Sequence, residues 1–84
     1  MGNGMNARLV GMRTYLTITF NSEGARPSEV SERLTMLGFK PTVGNYDFVY
    51  EWDKNATVED ALWFGDRIHA ILNGYSVFFK LETI

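Results

Sequence analysis

Asp66 and His69 stand three residues apart in an amphipathic stretch, the spacing at which a carboxylate can orient an imidazole as a general base. His69 is the only histidine, the chain has no cysteine, and no recognisable motif sets a Ser or Thr nucleophile beside the pair. A histidine paired with a carboxylate on its own helix accounts for the spacing without catalysis. Asp47 and Glu51 are four residues apart in what reads as a strand, about 13 Å at the backbone. That is too far for one metal ion and longer than the carboxylate pairs of glycosidases. Asp53, Asn55 and Thr57 follow the opening of a calcium loop, but Val58 replaces its Gly and Phe64 its final Glu. Helix capping explains those three residues. Asn21 to Pro27 leads into a helix N-terminus and offers Gly24, Arg26 and Ser28 to a small anion or amino acid, yet lacks the spaced glycines and Lys of a phosphate cradle. The chain is therefore expected to carry no catalytic residue, metal or cofactor. A regulatory ligand site at Gly24, Arg26 and Ser28 stands as the alternative to an interaction module.

Tyr46, Phe48, Tyr50 and Trp52 occupy every second position of an extended run, which would place four aromatic rings on one face of a sheet. Such a stripe is a nucleic-acid platform or a core. Tyr46, Phe48 and Val49 partly resemble the third strand of the RNA-recognition motif, but Gly44, Asn45 and Asp47 stand where a basic residue, a Gly and a small residue belong. Parity decides between the two. If the aromatics faced outward, Asp47 and Glu51 would enter the core unpaired, at several kcal/mol each (about 3 or more). All four rings are therefore expected to face the helices, with Asp47, Val49 and Glu51 on the free face. A net charge of −2 and a pI near 5.2 also argue against a general phosphate-backbone binder.

The elements that must position these residues follow from hydrophobic period. Leu16, Ile18 and Phe20 alternate with Tyr15, Thr17 and Thr19, predicting a half-buried strand from Arg13 to Phe20. Pro27 suits the first turn of a helix, Val30, Leu34 and Leu37 share one of its faces, and Gly38 fits the position just past its end. A short extended run from Phe39 to Val43 contains Pro41, which belongs on a sheet edge. Gly44-Asn45 signals a hairpin turn into the aromatic strand. Thr57 caps a second helix with Glu59 and Asp60 in its first turn, Ala61, Phe64, Ile68, Ile71 and Leu72 form its apolar stripe, and Asn73-Gly74 ends it. Tyr75 to Glu82 alternates again. Residues 1–12 read as a loosely ordered N-terminal segment and 13–84 as a single domain.

The order strand, helix, strand, strand, helix, strand predicts an α+β fold of the ferredoxin-like, split β-α-β kind: a four-stranded antiparallel sheet, order 4-1-3-2, with two helices on one face. This fold hosts many unrelated functions and does not supply one. At 84 residues without cysteine, stability must come from dense aromatic packing or from association. No apolar run approaches membrane-spanning length and no signal-peptide pattern stands out, as in a cytoplasmic protein. On the open sheet face Tyr15, Val49 and Phe78 are expected to line up as an apolar stripe for a second subunit or another protein. Trp63 lies opposite the buried stripe of its helix and is a second candidate contact, unless the N-terminal segment or Arg67 covers it. The expected function is a non-enzymatic, self-associating interaction module.

Overall fold

The computed structural model describes residues 8–24 and 26–84. Its elements are β1 (Arg13–Thr19), α1 (Pro27–Met36), β2 (Lys40–Pro41), β3 (Phe48–Glu51), α2 (Val58–Asn73) and β4 (Phe78–Thr83). They form an α+β fold in which all strand pairs are antiparallel and the sheet order is β2-β3-β1-β4. Read from the β4 edge, the order is 4-1-3-2. Expectations that rest on residues 1–7 lie outside the described residues.

β1 is bonded on both sides, opposite β3 from Arg13 to Leu16 and opposite β4 from Thr14 to Thr19. Its alternation sends Thr14, Leu16 and Ile18 to one face, where all three are buried. Leu16, Ile18 and Phe48 from the sheet, Val30 and Leu34 from α1, and Phe64, Ile68 and Leu72 from α2 make one core with Phe39. Both helices therefore cover the same side of the sheet, and among the described residues no helix lies over the other side.

Local chemistry sets the helix ends. Thr57 and Asp60 close a reciprocal capping box: the Asp60 N–H donates to Thr57 Oγ1 at 3.3 Å, and the Thr57 N–H donates to Asp60 Oδ2 at 2.9 Å. At the other helix, the Phe39 N–H donates to the Leu34 carbonyl and the Gly38 N–H to the Thr35 carbonyl, both at 3.0 Å, with Gly38 at φ +105°. This is a Schellman ending, and its hydrophobic contact is the buried pair Phe39 and Leu34. After α2 the left-handed residue is Ser76, at φ 55°, not Gly74, which is still helical at φ −71°. The chain consequently reaches β4 three residues later than Tyr75, whose hydroxyl instead accepts a hydrogen bond from Arg33 Nε at 3.1 Å.

The aromatic strand is shorter than its sequence pattern. β3 begins at Phe48, so Phe48, Tyr50 and Trp52 face the helices and Tyr46 does not. Phe39, Tyr50, Trp52 and Phe64 form a ring cluster with centroid separations from 4.5 to 5.8 Å. The break is made by Asp47. Its backbone N–H donates to the Leu16 carbonyl at 2.9 Å, while its carboxylate accepts the Ile18 N–H at 2.8 Å and takes the place of a strand partner. Asp47 is thus not a free charge of the open face. β2 is reduced to Lys40–Pro41 at the edge, where a missing donor is tolerated.

Residues 8–12 pass along the Ala56 end of α2. The Leu9 N–H donates to the Ala56 carbonyl at 2.8 Å, the Trp52 N–H donates to the Met12 carbonyl at 3.2 Å, and Leu9 is only 5% exposed. At the same end of the sheet the Trp52 indole N–H donates to Thr14 Oγ1 at 2.7 Å, and Thr14 and Thr83 share a second hydroxyl bond of 2.7 Å. Thr14 is the buried polar side chain of the core, and this chain of bonds satisfies it.

Two substitutions test these constraints by chemical denaturation. Gly38→Ala forces a Cβ into a left-handed residue 2.9 Å from the Tyr50 ring and is expected to lose about 1–2 kcal/mol. Thr14→Val keeps the shape but leaves the indole N–H and the Thr83 hydroxyl unpartnered, and is expected to lose about 1–2 kcal/mol.

Candidate functional site

On the side of the sheet away from the helices, alternation places Arg13, Tyr15, Thr17 and Thr19 from β1, Val49 and Glu51 from β3, and Phe78, Lys80 and Glu82 from β4. Ile84 continues this set, because it exchanges both backbone bonds with Arg13, at 2.8 and 2.9 Å. One row runs Lys40, Val49, Tyr15, Glu82 across all four strands. Tyr46, expected in the core, folds from the hairpin loop onto this row. Its ring stacks on Tyr15 at 4.5 Å between centroids, and its hydroxyl donates to Glu82 Oε2 at 2.9 Å. Lys80 Nζ approaches the same carboxylate at 3.3 Å. Arg13 and Glu51 form a second, looser ion pair at 3.8 Å.

The stripe expected from Tyr15, Val49 and Phe78 is therefore only half present. Tyr15 and Val49 are direct cross-strand neighbours, but Tyr15 faces Glu82 on β4, and Phe78 stands opposite Thr19. Four residues of β1 separate the two positions, about 13 Å. The sequence assigns faces correctly here, whereas the register of β4 depends on where α2 releases the chain. Phe78 is 74% exposed at the corner of the open face, and Ile84 is 60% exposed at the opposite end of the same strand.

Charge and hydrogen bonding tune the Tyr46–Glu82 contact. The Tyr46 hydroxyl, then Lys80, hold the Glu82 carboxyl below its ordinary range. Donation to Glu82, with partial desolvation, raises the Tyr46 phenol above its own. A lowered carboxyl contributes stability above its unfolded pKa and loses it as pH falls through the folded one. A raised phenol contributes below its unfolded pKa and loses it as pH rises through the folded one. The contact is thus held between acidification of Glu82 and ionisation of Tyr46.

Trp63 is 62% exposed on α2, and the Arg67 guanidinium lies over its ring at 5.7 Å. Of the two covers expected for it, Arg67 is in place. Leu9 and Met12 instead line the opposite flank of α2, in a cleft of about 460 Å³ with Val58, Ala61 and Leu62. Trp63 borders a separate notch of about 350 Å³ with Met36, Trp52 and Asp60.

Gly24 serves packing. A Cβ there would stand 2.8 Å from the Tyr75 carbonyl oxygen and 3.2 Å from that of Ser76, and its N–H is taken by Asn21 at 2.9 Å. Two carbonyl oxygens on its approach oppose an anion, while Arg26 and Ser28 are exposed at the start of α1. His69 is exposed beside Phe79, 5.9 Å between ring centres, and the ion pairs among the described residues do not include Asp66. The Asn55 N–H donates to Asp53 Oδ1 in a side-chain turn leading to the Thr57 cap. Among the described residues no group of three His, Cys, Asp or Glu side chains is arranged to hold a metal ion.

Comparison with protein-family models, with curated proteins and with solved structures finds no match. Sequence reasoning missed Tyr46 and Ile84 as members of the open sheet face. The available signal was Asp47, an acceptor beside a turn and inside an otherwise aromatic run.

Alkaline titration of the tyrosines tests the geometry. One phenol is expected to ionise above the ordinary tyrosine range, and Glu82→Gln should return it toward that range. Unchanged titration in the variant would remove the contact from the account.

Proposed function

We propose that the chain is a non-enzymatic interaction module, of the ferredoxin-like split β-α-β kind, that associates with itself through the open side of its sheet. The order of the elements and the edge positions of β2 and β4 support the fold assignment. The observation that carries the functional reading is the sheet side that none of the described helices covers. Both helices spend their apolar stripes on one core, while the other side presents stacked Tyr15 and Tyr46, Val49, and an exposed Phe78 among paired charges. Aromatic groups rimmed by polar ones are the make-up of a protein contact. A small domain without disulfides also gains stability from mass action when copies associate.

The acidic charge balance argues against a nucleic-acid partner. Among the described residues no helix is long and apolar enough to cross a membrane.

Sedimentation of the purified chain should give a species larger than the monomer at high micromolar concentration. Phe78→Glu, with folding checked by circular dichroism, is expected to weaken association by about tenfold or more. A strict monomer, or a variant with unaltered association, would refute the reading.

A further inference from the structure

The two edges of the sheet are unlike. β2 offers two residues, one of them Pro41 without a donor, and makes a poor template for another strand. β4 spans Phe78–Thr83, and among the described residues no strand lies beyond it. Its hydrogen-bonding phase follows from Arg13 and Ile84, which exchange both of their backbone bonds. In an antiparallel ladder such pairs alternate with unbonded ones, so Ile84, Glu82, Lys80 and Phe78 aim their amides at β1. Phe79, Leu81 and Thr83 aim theirs at the free edge.

We propose that a second copy of the chain adds at this edge in one antiparallel register, centred on Leu81. The proposal rests on the self-association reading and shifts its contact to the β4 margin of the open face, where Phe78, Lys80, Glu82 and Ile84 stand. For the free groups to bond, an odd-numbered residue of one β4 must face an odd-numbered residue of the other. Centring on Leu81 sets Leu81 against Leu81 and Phe79 against Thr83 on both sides of the two-fold axis, each bonded pair exchanging two hydrogen bonds. On the open face it sets Lys80 against Glu82 of the second copy, twice, and Phe78 against Ile84, twice. The two strongly exposed apolar side chains of β4 and its extension thus meet each other, and the charges are complementary.

The neighbouring registers fail on charge. Moving the centre to position 80 opposes Lys80 to Lys80, and moving it to position 82 opposes Glu82 to Glu82. Like charges directly across a strand pair are destabilising. A lysine on a free edge usually deters pairing; here Lys80 with Glu82 two residues on deters both registers adjacent to the one centred on Leu81. The result is a continuous eight-stranded sheet in which the two open faces adjoin.

The test uses charge exchange in the full chain, followed by sedimentation equilibrium. Lys80→Glu alone and Glu82→Lys alone each oppose like charges in this register, and each should weaken self-association by about tenfold or more. An equimolar mixture of the two variants restores both opposite pairs and should form a heterodimer at least as tight as the wild-type dimer. Glu32→Lys, an exposed change on α1 away from the open side of the sheet, should leave the dimer intact. In the wild type, the amides of Phe79, Leu81 and Thr83 should gain exchange protection as concentration rises, a readout independent of whether a variant folds. A dimer that ignores both charge changes, or a mixture that fails to pair, would overturn the edge register while leaving self-association standing. Loss of the dimer in Glu32→Lys would likewise overturn it. A wild-type chain that stays monomeric would overturn self-association itself.

Discussion

Leu16 stands opposite Phe48 on one side and Leu81 on the other, and its side chain is fully buried under the helices. Because side chains alternate along every strand, that three-strand row fixes which residues of β1, β3 and β4 go inward. A slip of one residue at any of the three would exchange the core for the open face. Such a slip in β3 would bring Val49 and Glu51 inward in place of Phe48 and Tyr50. The composition of the open face is therefore a consequence of the core.

The core itself is small, and its density comes from rings. Phe64 of α2 contacts Phe39, Tyr50 and Trp52, so one helical residue ties the Schellman ending of α1 to the outgoing strand. Trp52, just past β3, then reaches across the sheet through Thr14 to Thr83, linking that end of β3 to β1 and β4 by hydrogen bonds. Aromatic rings and a satisfied polar chain do here what disulfides do in other domains of this size.

Helix ends were legible in the sequence because their chemistry is local. Thr57 with Asp60 three residues on, and Gly38 followed by Phe39, need no knowledge of the rest of the chain. Strand faces were legible for the same reason, since parity is a property of one segment. What escaped depends on partners. Asp47 ends β3 by bonding the Ile18 amide, and that competition is visible only once β1 is known to lie alongside. Tyr46 followed it to the other face, and Phe78 lost its alignment with Tyr15 because α2 and its Ser76 turn set the starting point of β4. Gly24 read as a place for an anion by composition, yet its lack of a side chain answers the close approach of the Tyr75 and Ser76 backbone.

The departure at Asp47 matters for function because it couples the loop to the edge. Had β3 continued through Tyr46, that ring would have joined the core and Glu82 would have had only Lys80. Instead the Tyr46 hydroxyl reaches over Tyr15 to hold Glu82 from the side of the sheet interior. A carboxylate anchored in this way loses less freedom when an opposing lysine arrives than one free in solvent. Lys80, flexible and exposed on the same strand, is the mobile partner. The stacked tyrosines therefore need not touch a second subunit to influence its docking; they act by preparing the charge that the edge presents.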